Sequence, residues 1–230
     1  MGPGSVQAEV SSEQLLERDE SMSALHRLLE SVQSERTGRL VWVGGEAGVG
    51  KTTLLRSFCQ MRDVPTRVAW GACEPLRTPR PLGPFLDVAE TIGGEFAQLV
   101  AAAARPHEVA AALLEALSGR RPTVLVLEDL HWADEATLDV ISLLATRIAS
   151  ATALVLASYR DDELDRAPAL RVVVGELARR PSRLKIEPLS AAAVATLAGP
   201  YGLDPGELHV RTGGRQHLCD EERVSGRPPV

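Results

Sequence analysis

Leu25, Leu28, Leu29 and Val32 recur at three- and four-residue spacings within "EQLLERDESMSALHRLLESVQ", a pattern that predicts one amphipathic helix near the start of the chain. A different pattern follows it. "RLVWV" (39–43) is almost wholly apolar and stops at Gly44 and Gly45, so it predicts a strand buried on both faces. "TVLVLE" (123–128) and "ALVLAS" (153–158) repeat that pattern, and "TRVAWGAC" (66–73) and "RLKIEPL" (183–189) predict two more strands.

Helical periodicity fills the intervals. "FLDVAETI" (85–92) and the Ala-rich stretch from Phe96 to Leu117, interrupted at Pro106, predict helices, and Asp134 is expected to cap another with Glu135 in its first turn. Pro75, Pro79, Pro81 and Pro84 exclude a regular ladder from "EPLRTPRPLGP", which must be a loop. "SAAAVATLAG" and "DPGELHVRT" predict two short helices, whereas "RQHLCDEERVSGRPPV" has no apolar period and is expected to be a disordered tail. The chain therefore divides into a polar leader (1–14), an α/β core (15–188), a partial helical lid (189–214) and the tail (215–230).

Composition narrows this picture. Apolar residues make up 44% and aromatics only 3%, so the core must rest on Leu, Val, Ile and Ala, which suits helices packed on a parallel sheet. A net charge of -6 gives no bulk attraction to polyanions, and no helix-turn-helix candidate is visible; no direct nucleic-acid binding is assigned. Cys59, Cys73 and Cys219 lack metal-ligand spacing, and the first two read as small buried hydrophobes. Without an apolar run long enough to span a bilayer, a basic leader or a myristoylation signal after Gly2, no membrane partner is expected and the location is expected to be cytoplasmic.

"GEAGVGKT" (45–52) carries the chemistry. It matches G-x-x-x-x-G-K-[ST] between a buried strand and the helical "TTLLRSFCQM", the setting in which backbone N–H groups and a helix N-terminus cradle phosphates. Gly45, Glu46, Ala47, Gly48, Val49 and Gly50 form the predicted loop, with Thr53 in the helix behind it. Lys51 is expected to reach the β- and γ-phosphates of ATP and the Thr52 hydroxyl to ligate Mg²⁺. Glu128 and Asp129 end the "TVLVLED" strand on the same edge, where one acid can hold the metal while its neighbour orients or deprotonates water. Their order, Glu then Asp, reverses the usual one; alignment gives Glu128 the metal position and the shorter Asp129 the base position, and both acids stay candidates for either role. Arg160 either contacts the γ-phosphate or pairs with Asp161 or Asp162.

Taken in order, "LLERDESMSAL", "VGGEAGVGKTTLL", "VLVLEDLHWADEATLDVI", "LVLASYRDDEL" and "RLKIEPLS" resemble the ATPase domain of the STAND class of signalling ATPases. The likeness is greatest to the Orc1-like AAA module of large ATP-binding LuxR-type regulators. It implies a P-loop NTPase three-layer sandwich with a five-stranded parallel sheet, in which the 153–158 strand lies between the P-loop strand and the 123–128 strand. It also implies that Arg160 approaches the γ-phosphate and that Arg18 helps frame the nucleotide, although Glu17 replaces the family's glycine there. At "RTGGRQHL" the likeness ends: Arg215 and Gln216 stand where the family has Asn and a nucleotide-touching Pro. The expectation is a truncated relative with an incomplete lid, an apolar face of "AAAVATLAG" left uncovered, and hence self-association or association with full-length relatives. Its function is expected to be a nucleotide-dependent switch with slow Mg-dependent ATP hydrolysis, or a non-catalytic nucleotide- or partner-binding module.

Overall fold

The computed structural model describes residues 15–61, 66–176 and 182–225. Five strands, β1 (Arg39–Gly44), β2 (Arg67–Ala72), β3 (Thr123–Glu128), β4 (Ala153–Ser158) and β5 (Ser182–Lys185), form one sheet in the order β2-β3-β4-β1-β5. All pairings are parallel, so the expected α/β class, the five-strand count and the place of β4 between β1 and β3 all hold.

Parallel strands with helices on both faces need apolar side chains on both faces, and the alternation inside each strand supplies them. Leu40 and Trp42 of β1, with Leu125, Leu127, Val155 and Ala157, face the layer of α3 (Gly83–Ile92), α4 (Gly94–Ala101), α5 (Pro106–Leu117), α6 (Glu135–Arg147) and α7 (Pro168–Glu176). Val41, Val43, Val124, Val126, Leu154 and Leu156 face α1 (Asp19–Glu35) and α2 (Lys51–Gln60), whose Leu25, Leu29, Val32, Leu54, Leu55 and Phe58 complete that side. Pro106 opens α5, where its missing N–H costs nothing, and the Asp134 carboxylate accepts from the Ala136 N–H to cap α6 as expected.

Two positions set the close approach of β2 and α3. Gly71 lies so near Pro84 that a Cβ there would fall 1.9 Å from the Pro84 carbonyl oxygen, so only glycine fits the strand at that point.

The C-terminal part departs from expectation. After α8 (Ala191–Ala198) and α9 (Pro205–Thr212), the chain forms a further helix, α10 (Gln216–Ser225), instead of a disordered tail from 215; residues 226–230 and the leader 1–14 lie outside the described residues. Cys219, the one buried apolar side chain of α10 among residues 216–220, joins the cluster of Val194, Leu197, Ala198 and Leu208, too sparse a signal to read as a period. The apolar face of α8 is thereby covered by α9 and α10, which removes the ground on which that face predicted self-association. All three cysteines are buried, and no helix among the described residues is long and apolar enough to cross a membrane.

Candidate nucleotide-binding site

The loop from Gly45 to Gly50 joins β1 to α2, so the first N–H groups of α2 point into the loop at the carboxyl edge of the sheet. Gly50 has φ +96 and precedes the helix directly, a left-handed conformation that a side chain would strain. Val49 is fully buried in the core beneath the loop, while Glu46 points to solvent. Thr53 follows Thr52 in the first turn of α2.

The Lys51 ammonium donates to the carbonyls of Gly45 at 2.7 Å and Glu46 at 2.8 Å. An ammonium has three N–H donors, so capacity for an anion remains. Burial pulls its pKa down, opposed most strongly by the charge of Asp129.

Glu128 and Thr52 meet. The Thr52 hydroxyl donates to Glu128 Oε1 at 2.5 Å, and the Trp70 indole N–H donates to Oε2 at 3.0 Å. The Glu128 side chain lies on the sheet face that α2 covers, because it continues the alternation of Val124 and Val126. Burial raises its pKa, while the bonds from Thr52 and Trp70 lower it. Trp70 was missed as a site residue in the sequence: β2 places Ala72 opposite Glu128, so Trp70 is its diagonal neighbour, and only the register reveals that.

Asp129 stands differently. It leaves β3 in the left-handed region at φ 54, its N–H donates to the Ser158 hydroxyl at 3.2 Å, and its side chain is 38% exposed. His131, in the 3-10 turn Leu130–Trp132, sits with Nδ1 3.9 Å from Asp129 Oδ1. Arg160 follows β4 and pairs with Glu163 at 3.1 Å, not with Asp161 or Asp162. The chain there winds into a 3-10 turn, Asp161–Arg166, and that geometry brings residues three apart together.

Arg18 is buried and its Nη2 donates at 2.9 Å to both the Val49 carbonyl of the loop and the Glu187 carbonyl beyond β5. The neighbouring Glu17, left-handed at φ 55, accepts from the Ser190 N–H and hydroxyl with its two carboxylate oxygens. Glu17 thus clasps Ser190, the residue that caps α8. From the other side the His217 N–H donates to the Gly48 carbonyl at 3.0 Å, and the Gln216 side chain lies against Gly50.

A strand, a glycine-rich turn, a buried lysine and a hydroxyl–carboxylate pair on one edge of a parallel sheet form a donor set that suits a Mg-nucleotide. Residues 14–157 match the AAA_16 family, the AAA ATPase domain. The chain belongs to that family.

Solved structures with the same fold include the Aeropyrum pernix ORC1 protein in complex with DNA (19% identity, TM-score 0.63, covering 91% of this chain and 59% of that one). The A. pernix ORC2 protein in its ADPNP–ADP complexes aligns at 15% identity and TM-score 0.60, over 94% of this chain and 65% of that one. Cdc6p from Pyrobaculum aerophilum aligns at 18% identity and TM-score 0.54, over 80% of this chain and 49% of that one. An uncharacterized protein of Rhizobium meliloti (strain 1021) is 24% identical over 221 residues, 75% of this chain and 21% of that protein. This AAA ATPase domain therefore spans about a fifth of the curated relative and about half of Cdc6p.

The residues present fit Mg²⁺ and a triphosphate. Among the described residues no three His, Cys, Asp or Glu side chains make a closed metal cage, and magnesium bound with phosphates asks for none, since it keeps several waters and takes one or two protein ligands. Thr52 and Glu128, already in contact, would supply that pair.

Proposed function

We propose that this AAA ATPase domain binds ATP with Mg²⁺ and hydrolyses it slowly, serving as a nucleotide-dependent switch. The observation that carries this reading is the convergence of Lys51, Thr52 and Glu128 on one edge of the sheet. An adenine nucleotide is supported by the ADPNP–ADP complexes of A. pernix ORC2, which shares the fold.

In this reading Gly45 to Thr53 would hold the phosphates and Thr52 and Glu128 would hold Mg²⁺, which when bound would neutralise phosphate charge. Asp129 orients the attacking water. The water's oxygen bonds to the γ-phosphorus as the bond from that phosphorus to the bridging oxygen of ADP breaks, and the water's proton leaves toward Asp129. Arg160, released from Glu163, contacts the γ-phosphate. The switch works through Arg18, which ties the Val49 and Glu187 carbonyls, and through the His217–Gly48 bond: movement of the loop on phosphate binding reaches α8–α10 directly. In LuxR-type regulators, whose sequence pattern this chain resembles, such a switch would gate assembly or DNA binding by other parts of the protein.

A second reading, nucleotide binding without turnover, is favoured by the inverted acids. The buried, bonded carboxylate is the longer Glu128, and the one left to orient water is the shorter Asp129.

Mg-ATP binding and phosphate release by the purified chain, beside Lys51→Ala, decide between the two. Turnover that disappears in the variant supports the ATPase, binding without turnover supports the second reading, and a folded protein that binds no nucleotide refutes both.

A further inference from the structure

The His131 side chain is fully buried, and neither ring nitrogen has a hydrogen-bond partner. One nitrogen of a neutral imidazole is always a donor, and leaving a buried donor unmet costs about 1–3 kcal/mol. Packing against Trp132, at a centroid distance of 5.3 Å, would be served as well by an apolar ring without that cost. What only an imidazole brings is a donor aimed near Asp129. Nδ1 stands 3.9 Å from Oδ1, about 1 Å beyond hydrogen-bonding distance. The Asp129 backbone is pinned by its bond to Ser158, yet its carboxylate is partly exposed and unbonded to the imidazole, so rotation of that one side chain closes the gap. A left-handed Asp beside an unmet buried donor places two local strains at one point of a candidate site.

We infer that His131 is the positioning residue for Asp129: when Mg-nucleotide fills the cradle, its Nδ1–H donates to Asp129 Oδ1 and fixes that carboxylate toward the attacking water. The imidazole moves no proton and touches no phosphate. The inference rests on the reading of Asp129 as the water-orienting acid.

The test compares His131→Phe, which keeps the ring and loses the donor, with His131→Asn, whose amide nitrogen falls near the place of Nδ1, in the full chain checked for folding by circular dichroism. His131→Phe should lower kcat by roughly 10–100-fold, the range for partners that orient a functional ligand, while KM and the affinity for Mg-ADPNP stay within about threefold. His131→Asn should recover most of the loss. Independently, ¹⁵N spectra of histidine-labelled protein, with its five histidines and His131 assigned through the Asn variant, should show an Nδ1-protonated ring on addition of Mg-ADPNP. That signal should be absent in Asp129→Ala. A Phe variant as fast as wild type, an Asn variant no better than Phe, or an unprotonated Nδ1 in the loaded protein overturns the inference. Absence of any Lys51-dependent turnover defeats the ATPase reading instead, and the ¹⁵N signal then decides the role of His131 alone.

Discussion

Replacing Arg18 with Met removes a buried guanidinium while keeping much of its apolar length. Nη2 donates to two carbonyls at 2.9 Å, one in the phosphate loop and one beyond β5, and hydrogen bonds from a charged group contribute about 1.5–3 kcal/mol each. The gross loss is therefore about 3–6 kcal/mol. Two terms offset it: burial lowers the Arg18 pKa, the mark of a charge held at a desolvation cost, and its Nε has no partner. A net loss of about 3 kcal/mol follows, which for a domain of 230 residues lowers Tm by roughly 6–12 °C. Urea unfolding followed by tryptophan fluorescence and by circular dichroism measures it, with Arg18→Lys as the control. A lysine keeps the charge but lacks the planar fork, so it should fall between wild type and Met. A Met variant within about 1 kcal/mol of wild type would show that Arg18 does not join the loop to the lid, and the coupling route proposed for the switch would lose its main link.

Glu128→Gln should stabilise the nucleotide-free protein at neutral pH while weakening Mg-ATP binding. Burial is the first cause acting on Glu128 and raises its folded pKa, so the wild type loses stability as pH climbs from the ordinary carboxyl range to the raised folded value, and the glutamine variant should lack that decline; a lower Tm for the variant at pH 7 refutes the point. The opposite sign holds for Glu17, whose pKa the two bonds from Ser190 hold down: its contribution is present above the ordinary carboxyl range and disappears as pH falls through the lowered value. The Ser190 amide proton shift should titrate with a midpoint below that range, and a midpoint at or above it removes the clasp. Gly71→Ala should cost about 1–3 kcal/mol or more, because the added methyl meets a backbone oxygen that cannot turn aside; an unchanged urea midpoint would contradict the packing.

The buried strands were legible because each is a short apolar run bounded by turn residues, and the cradle because its residues are contiguous from Gly45 to Thr52. What escaped depends on register and on non-local contact. Trp70 reaches Glu128 only through the β2–β3 register; Ser158 supports Asp129 only because β4 lies beside β3. Arg160 was read against its nearest acids, Asp161 and Asp162, and the 3-10 turn gave it Glu163. The chain beyond Gly214 read as tail because α10 is mostly polar and is held by Cys219, the Gly48 carbonyl and the surface beside Gly50.

That last contact changes how the sequence departure at 215–216 is understood. A proline at 216 would have no backbone N–H and a side chain too short to reach far; glutamine there is almost fully buried, with Oε1 so close to Gly50 that a Cβ on that glycine would lie 2.3 Å from it. The N-terminal turn of α10 therefore rests on the Gly45–Gly50 loop through a side chain and through the His217–Gly48 bond together. Arg18 holds the same loop one residue away, at Val49. With bonds at Gly48 and Val49 and packing at Gly50, the middle of the loop is held from two directions, by Arg18 and by the start of α10. Gln216 and His217 thus connect the loop to α10 where the resemblance implied a proline.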